Sequence, residues 1–101
     1  SFAAKMMQPF NVDKAFIASN AFSFESGFST PSTEQAEVKR AMIHSAAKVN
    51  MLIDSSKFNC IAFYRFAELE DIDLLITDNL LSSEDRAILN GYQDTLKLAI
   101  V

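Results

Sequence analysis

A chain of 101 residues, half of them apolar and with only two glycines and two prolines, is composed for one packed domain and not for a disordered segment. Its net charge of −4 argues against nucleic-acid binding by these residues alone, because a basic excess supplies most of that affinity, and against a polybasic membrane patch. No apolar run approaches the ~20 residues that span a bilayer, no signal-peptide layout is seen, and the single Cys60 excludes a disulfide framework or a Cys-based metal cluster, so the cytoplasm is the expected compartment.

In chain order, Phe2, Ala3, Met6, Met7 and Phe10 fall on one helical face, and Pro9 ends that helix. Residues 15–18 make a short apolar strand. Residues 19–32, rich in Ser, Phe and Thr and punctuated by Gly27 and Pro31, read as a loop. The clearest helix runs over residues 33–48. Val38, Ala41, Met42, Ser45, Ala46 and Val49 form its packing stripe, Ser32 with Gln35 a capping box, and Glu34 suits the dipole in the first turn. A buried strand over 49–53 stops at a polar turn, residues 54–57. Further strands are predicted over 61–66 and over 72–76, the latter ending in Thr77 and Asp78. Ser82 or Ser83 caps a short helix that Gly91 stops, and residues 96–101 form a last apolar strand.

Apolar strands alternating with amphipathic helices predict an α/β fold, a mostly parallel sheet with helices on both faces. In such sheets ligands bind outside the carboxyl ends of the strands. The sharpest feature there is the turn Asp54-Ser55-Ser56-Lys57, where turn amides, two hydroxyls and an ammonium make a suitable phosphate site. A plain solvated turn has the same composition. Thr77 and Asp78, and Ser19 and Asn20, end neighbouring strands and are candidates for the same cleft, although each pair also serves as ordinary turn or cap chemistry.

The remaining chemistry-bearing residues favour structural roles. His44 has no second histidine to share a metal, Glu34, Glu37 and Lys39 look like a helix surface, and Cys60 looks like an incidental thiol. No catalytic residue, metal or cofactor is expected. Phe22, Phe24 and Phe28 suit core packing more than a subunit contact.

Five blocks then carry a resemblance: Val12-Asp13-Lys14-Ala15-Phe16-Ile17-Ala18; Gly27-Phe28-Ser29-Thr30; Glu34-Gln35-Ala36-Glu37-Val38-Lys39-Arg40-Ala41-Met42-Ile43; Asp54-Ser55-Ser56-Lys57-Phe58; and Ile72-Asp73-Leu74-Leu75-Ile76-Thr77-Asp78. In this order and spacing the chain resembles the effector domain of DeoR-type transcription regulators. The resemblance implies a sensor with a three-layer fold similar to ribose-5-phosphate isomerase and glucosamine-6-phosphate deaminase. It also implies a phosphorylated-sugar effector with Lys57 and residues 54–56 at its phosphate, a homo-oligomer, and DNA contacted only through a winged helix-turn-helix outside this chain. Residues 1–101 are accordingly expected to be a partial effector-binding domain.

The related isomerases carry an acidic turn where this chain has Ala18-Ser19-Asn20-Ala21, and a general-base glutamate early in the long helix where the register places Lys39, with Glu37 close by. Proton transfer between carbons needs such a base. A binder without catalytic equipment is therefore the leading expectation. A sugar-phosphate isomerase-like enzyme and an oligomerisation module without ligand are the alternatives.

Overall fold

The computed structural model describes residues 1–101. Its two longer helices begin at serine caps: Ser32 Oγ accepts from the Gln35 amide at 3.2 Å before α2 (Thr33–Ser45), and Ser82 Oγ accepts from the Asp85 amide at 3.1 Å before α3 (Ser83–Asn90). Each cap satisfies an amide that the first helical turn leaves without a partner. A short α1 (Phe2–Met7) precedes them and buries none of its residues; the apolar face read from the sequence leaves Phe2 79% and Met6 56% exposed.

Four parallel strands form the main sheet: β1 (Val12–Ala18), β4 (Ala46–Leu52), β6 (Leu74–Thr77) and β7 (Lys97–Ile100), in the spatial order β1-β4-β6-β7. The α/β class and the mostly parallel sheet are as expected. Side chains alternate across it. Ala15, Ile17, Val49, Met51 and Leu75 point into a core that also holds Ala36 of α2 and Leu89 of α3. The strand order advances in one direction, so right-handed crossovers lay both helices on that one face. The helical layer expected on the other face is not supplied by these residues. There Phe16 is 61%, Leu52 41% and Val12 40% exposed.

A second, antiparallel sheet has the order β2 (Ala21–Ser23), β3 (Gly27–Thr30), β5 (Tyr64–Ala67). Two sequence expectations change here. Residues 19–32 are not simply a loop, because Phe22 faces Phe28 across a hairpin and both rings are fully buried. Their centroids lie 4.6 Å apart, and Phe24, Phe58 and Phe66 extend the cluster. Burying each such ring contributes roughly 2–3 kcal/mol, which outweighs the weak strand propensity of the intervening serines. The strand predicted over 61–66 runs over Tyr64–Ala67 and joins β3, not the parallel sheet.

Helix α2 also differs, ending at Ser45 and not at residue 48. Ala46 and Lys48 pair with Val12 and Lys14, so strand pairing overrides alanine's helical preference. Of the stripe read in the sequence, Met42, Ser45, Ala46 and Val49 are buried or pack on the core, joined by Ala36 and Ile43, while Ala41 lines a groove beside α1. No helix is long and apolar enough to cross a membrane.

Gly27 closes the β2–β3 hairpin with φ +73°, and a Cβ there would stand 2.3 Å from the carbonyl oxygen of Ala67. Both the left-handed backbone and the close approach demand glycine. Gly27→Ala should cost at least ~2 kcal/mol, a fall in Tm of roughly 8 °C or more. Ser26→Ala next to it should stay within ~0.5 kcal/mol. Thermal denaturation of the two variants checks this, and equal melting would contradict the hairpin geometry.

Candidate functional site

Parallel strands that end level with one another deliver their following loops to one edge. Ala18, Leu52 and Ile76 are cross-strand partners in β1, β4 and β6, so residues 19–20, 54–57 and 77–78 emerge side by side. Pairing continues one step further, with the Ile53 amide donating to the Ile76 carbonyl at 3.0 Å.

The turn after β4 is a single 3₁₀ turn, Ser55–Lys57, capped by Asp54. The Asp54 carboxylate accepts from the Ser56 amide at 3.3 Å and from the Ser56 hydroxyl at 3.0 Å, and the Lys57 amide donates to the Asp54 carbonyl at 2.9 Å. The Ser55 amide donates to Asp78 Oδ2 at 2.9 Å. Two of the candidate groups are thereby joined directly. All three turn amides are already bonded within the chain, so the part of the phosphate reading that relied on free turn amides does not describe this arrangement. What the turn presents outward is the ammonium of Lys57, exposed and in no ion pair.

Asp78 is the most perturbed carboxylate. The Ser55 hydroxyl and amide, then the Leu80 amide, hold it well below the ordinary value of 3.8. Its second oxygen, Oδ1, takes the Leu80 amide at 2.9 Å. Thr77, one residue earlier, is 3% exposed, and its Oγ1 is a buried polar atom without a hydrogen-bond partner.

Ser19 and Asn20 serve the fold more visibly than a cleft. Ser19 Oγ lies 2.8 Å from the Ala21 carbonyl and 3.2 Å from that of Ser29, tying β1 to the small sheet. Asn20 Oδ1 accepts from the buried Thr30 hydroxyl at 2.9 Å and leaves its amide nitrogen exposed. Lys39, the position to which the sequence register assigns the isomerase base, is half-buried: its Nζ sits 5.1 Å from the centroid of the Phe66 ring, and burial pushes its pKa down.

Sequence reasoning missed one contact at this edge. Asn59, at φ +62°, donates from Nδ2 to Asp85 Oδ2 at 3.0 Å and ties the loop beyond Lys57 to the first turn of α3. Asparagine tolerates the left-handed region better than most residues, which was the available signal. The strand-end edge is an open surface and not an enclosed pocket. Two clefts of about 470 and 490 Å³ lie elsewhere, one between α1 and α2 and one on the bare sheet face beside Lys14, Lys48 and Asn50.

The family described as the DeoR C-terminal sensor domain matches residues 1–79. Among curated relatives, the HTH-type transcriptional regulator GlpR of Haloferax volcanii is 42% identical over 84 residues, covering 83% of this chain and 33% of that protein. The HTH-type transcriptional repressor GlcR of Bacillus subtilis is 42% identical over 80 residues, covering 79% and 31%. A putative aga operon transcriptional repressor of Escherichia coli O157:H7 is 30% identical over 76 residues, covering 75% and 28%. The chain spans about a third of the length of these relatives.

A carboxylate held below its unfolded value contributes stability that is present above that value and lost as pH falls through the folded one. Asp78→Asn should therefore be less stable than the parent at about pH 7, and the gap should narrow as pH falls below ~4. Urea midpoints measured across that range test it; a gap independent of pH would refute the assigned ionisation.

Proposed function

Because the chain belongs to the family of DeoR C-terminal sensor domains, we propose that it forms part of the effector-binding domain of a transcriptional regulator whose effector is a phosphorylated sugar. The observation that carries the reading is the exposed, unpaired Lys57 ammonium on a turn bound to the neighbouring strand end through Ser55 and Asp78. A lysine so placed is a compact point charge for a phosphate. The hydroxyl-bearing and amide side chains of Ser55, Ser56, Ser19, Asn20 and Thr77 are the proposed contacts around it, because they belong to the loops and residues at the same strand ends.

The role proposed is sensing, without catalysis. The sequence register puts Lys39, packed on Phe66, where the isomerases carry a proton-moving carboxylate, and no step in the reading needs a cofactor or metal. Binding shifts the balance between two conformations of the intact regulator and so changes its hold on DNA, which is reached through a winged helix-turn-helix outside residues 1–101. The intact protein is proposed to act as a homo-oligomer in the cytoplasm.

Lys57→Ala in the full-length regulator should weaken binding of the sugar phosphate by about 10- to 100-fold, the worth of one charge-assisted hydrogen bond. Operator affinity without effector should stay nearly unchanged. Thermal shifts with phosphorylated and plain sugars, alongside DNA-binding titrations, provide the measurement. Undiminished stabilisation by the sugar phosphate in the variant would remove Lys57 from the site.

A further inference from the structure

Asp78 stands between the two strand-end loops, and the simplest expectation from the sequence makes it an effector contact. Its bonding argues for a different task. Oδ2 is engaged by the Ser55 amide at 2.9 Å and Oδ1 by the Leu80 amide at 2.9 Å, so each oxygen already serves the backbone of a different loop. A carboxylate is also the wrong charge to face a phosphate at short range. Asp54 performs the matching service within the turn, holding the Ser56 amide and hydroxyl. Between them the two carboxylates take up donors of the turn and leave the exposed cation of Lys57 in no ion pair.

We propose that Asp78 is a positioning residue: it clamps the Ser55 end of the turn to the carboxyl end of β6 and thereby sets where Lys57 meets the effector, without touching the effector itself. The inference rests on the reading of residues 54–57 as a phosphate site. It goes further by assigning opposite roles to two groups that sequence alone places together: Lys57 binds and Asp78 orients. The clamp spans adjacent strands, since Ser55 and Asp78 are 23 positions apart. Fixing the Ser55 end of the turn restricts the arc that a flexible lysine stem samples, and pre-organisation of that kind raises affinity by lowering the ordering cost on binding.

The full-length regulator is titrated with ribose 5-phosphate, glucose 6-phosphate and fructose 6-phosphate and with the three unphosphorylated parents. The ratio of phosphorylated to plain affinity is compared in the parent, Lys57→Ala, Asp78→Ala and Asp78→Asn. The clamp predicts that Asp78→Ala loses about 10-fold of that ratio or more, and that Asp78→Asn, which keeps an acceptor for the Ser55 amide, recovers part of it. A lowered Tm with an unaltered ratio in Asp78→Ala overturns the positioning role and leaves Asp78 merely structural. Tighter sugar-phosphate binding in Asp78→Ala overturns it too, in favour of a carboxylate that competes with the ligand. A ratio equal in the parent and in Lys57→Ala strikes the phosphate site itself and takes the clamp down with it. Loss in Lys57→Ala alone strikes only the clamp.

Discussion

The parallel register of β4 against β6 is the constraint on which the rest depends. With Leu52 opposite Ile76 and Ile53 bonded to the carbonyl of Ile76, the chain has no freedom to place Ser55 far from Asp78. A slip of β4 by one residue would turn Val49 and Met51 out of the core and Leu52 into it. The apolar burial that fixes the sheet therefore also fixes the distance between two loops that carry no apolar burial of their own. Precision at an exposed edge is inherited from the interior beneath it.

The small antiparallel sheet is the second support. Phe22, Phe28 and Phe58 close over one another, and Phe58 directly follows Lys57. The Cys60 amide then donates to the Phe22 carbonyl at 3.1 Å. The turn is held on one side by a carboxylate and on the other by an aromatic core. An exposed lysine between two such anchors combines a mobile head with a fixed root, a sound arrangement for gripping an anion that must later be released.

Legibility in the sequence followed the range of the forces involved. The parallel strands were visible because each is a short apolar run, and the helix starts at Ser32 and Ser82 were visible because capping is local. The end of α2 was not, since Ala46-Ala47-Lys48 is a good helical stretch that pairing with β1 converts to strand. Nor were β2 and β3, whose serines look like loop until Phe22 and Phe28 are seen to bury. At the candidate site, the residues of the turn could be named from their types alone. The partner of the Ser55 amide could not, because a contact between positions 55 and 78 exists only once two strands have been laid in register. The same applies to Lys39, a surface residue by composition whose ammonium lies over the Phe66 ring of the neighbouring β5.

The bare side of the parallel sheet has a consequence for handling. Phe16, Leu52 and Val12 are exposed there, while Lys14, Lys48 and Lys97 share its amino-terminal half with Asp73 and Asp94. Chains that each carry a net charge of −4 repel one another in dilute buffer, and the repulsion fades once added electrolyte shortens the Debye length to about 3 Å near 1 M. The greasy half then dominates. The colloidal behaviour of residues 1–101 is therefore set by buffer composition: dispersed in dilute solution and clustering as salt rises.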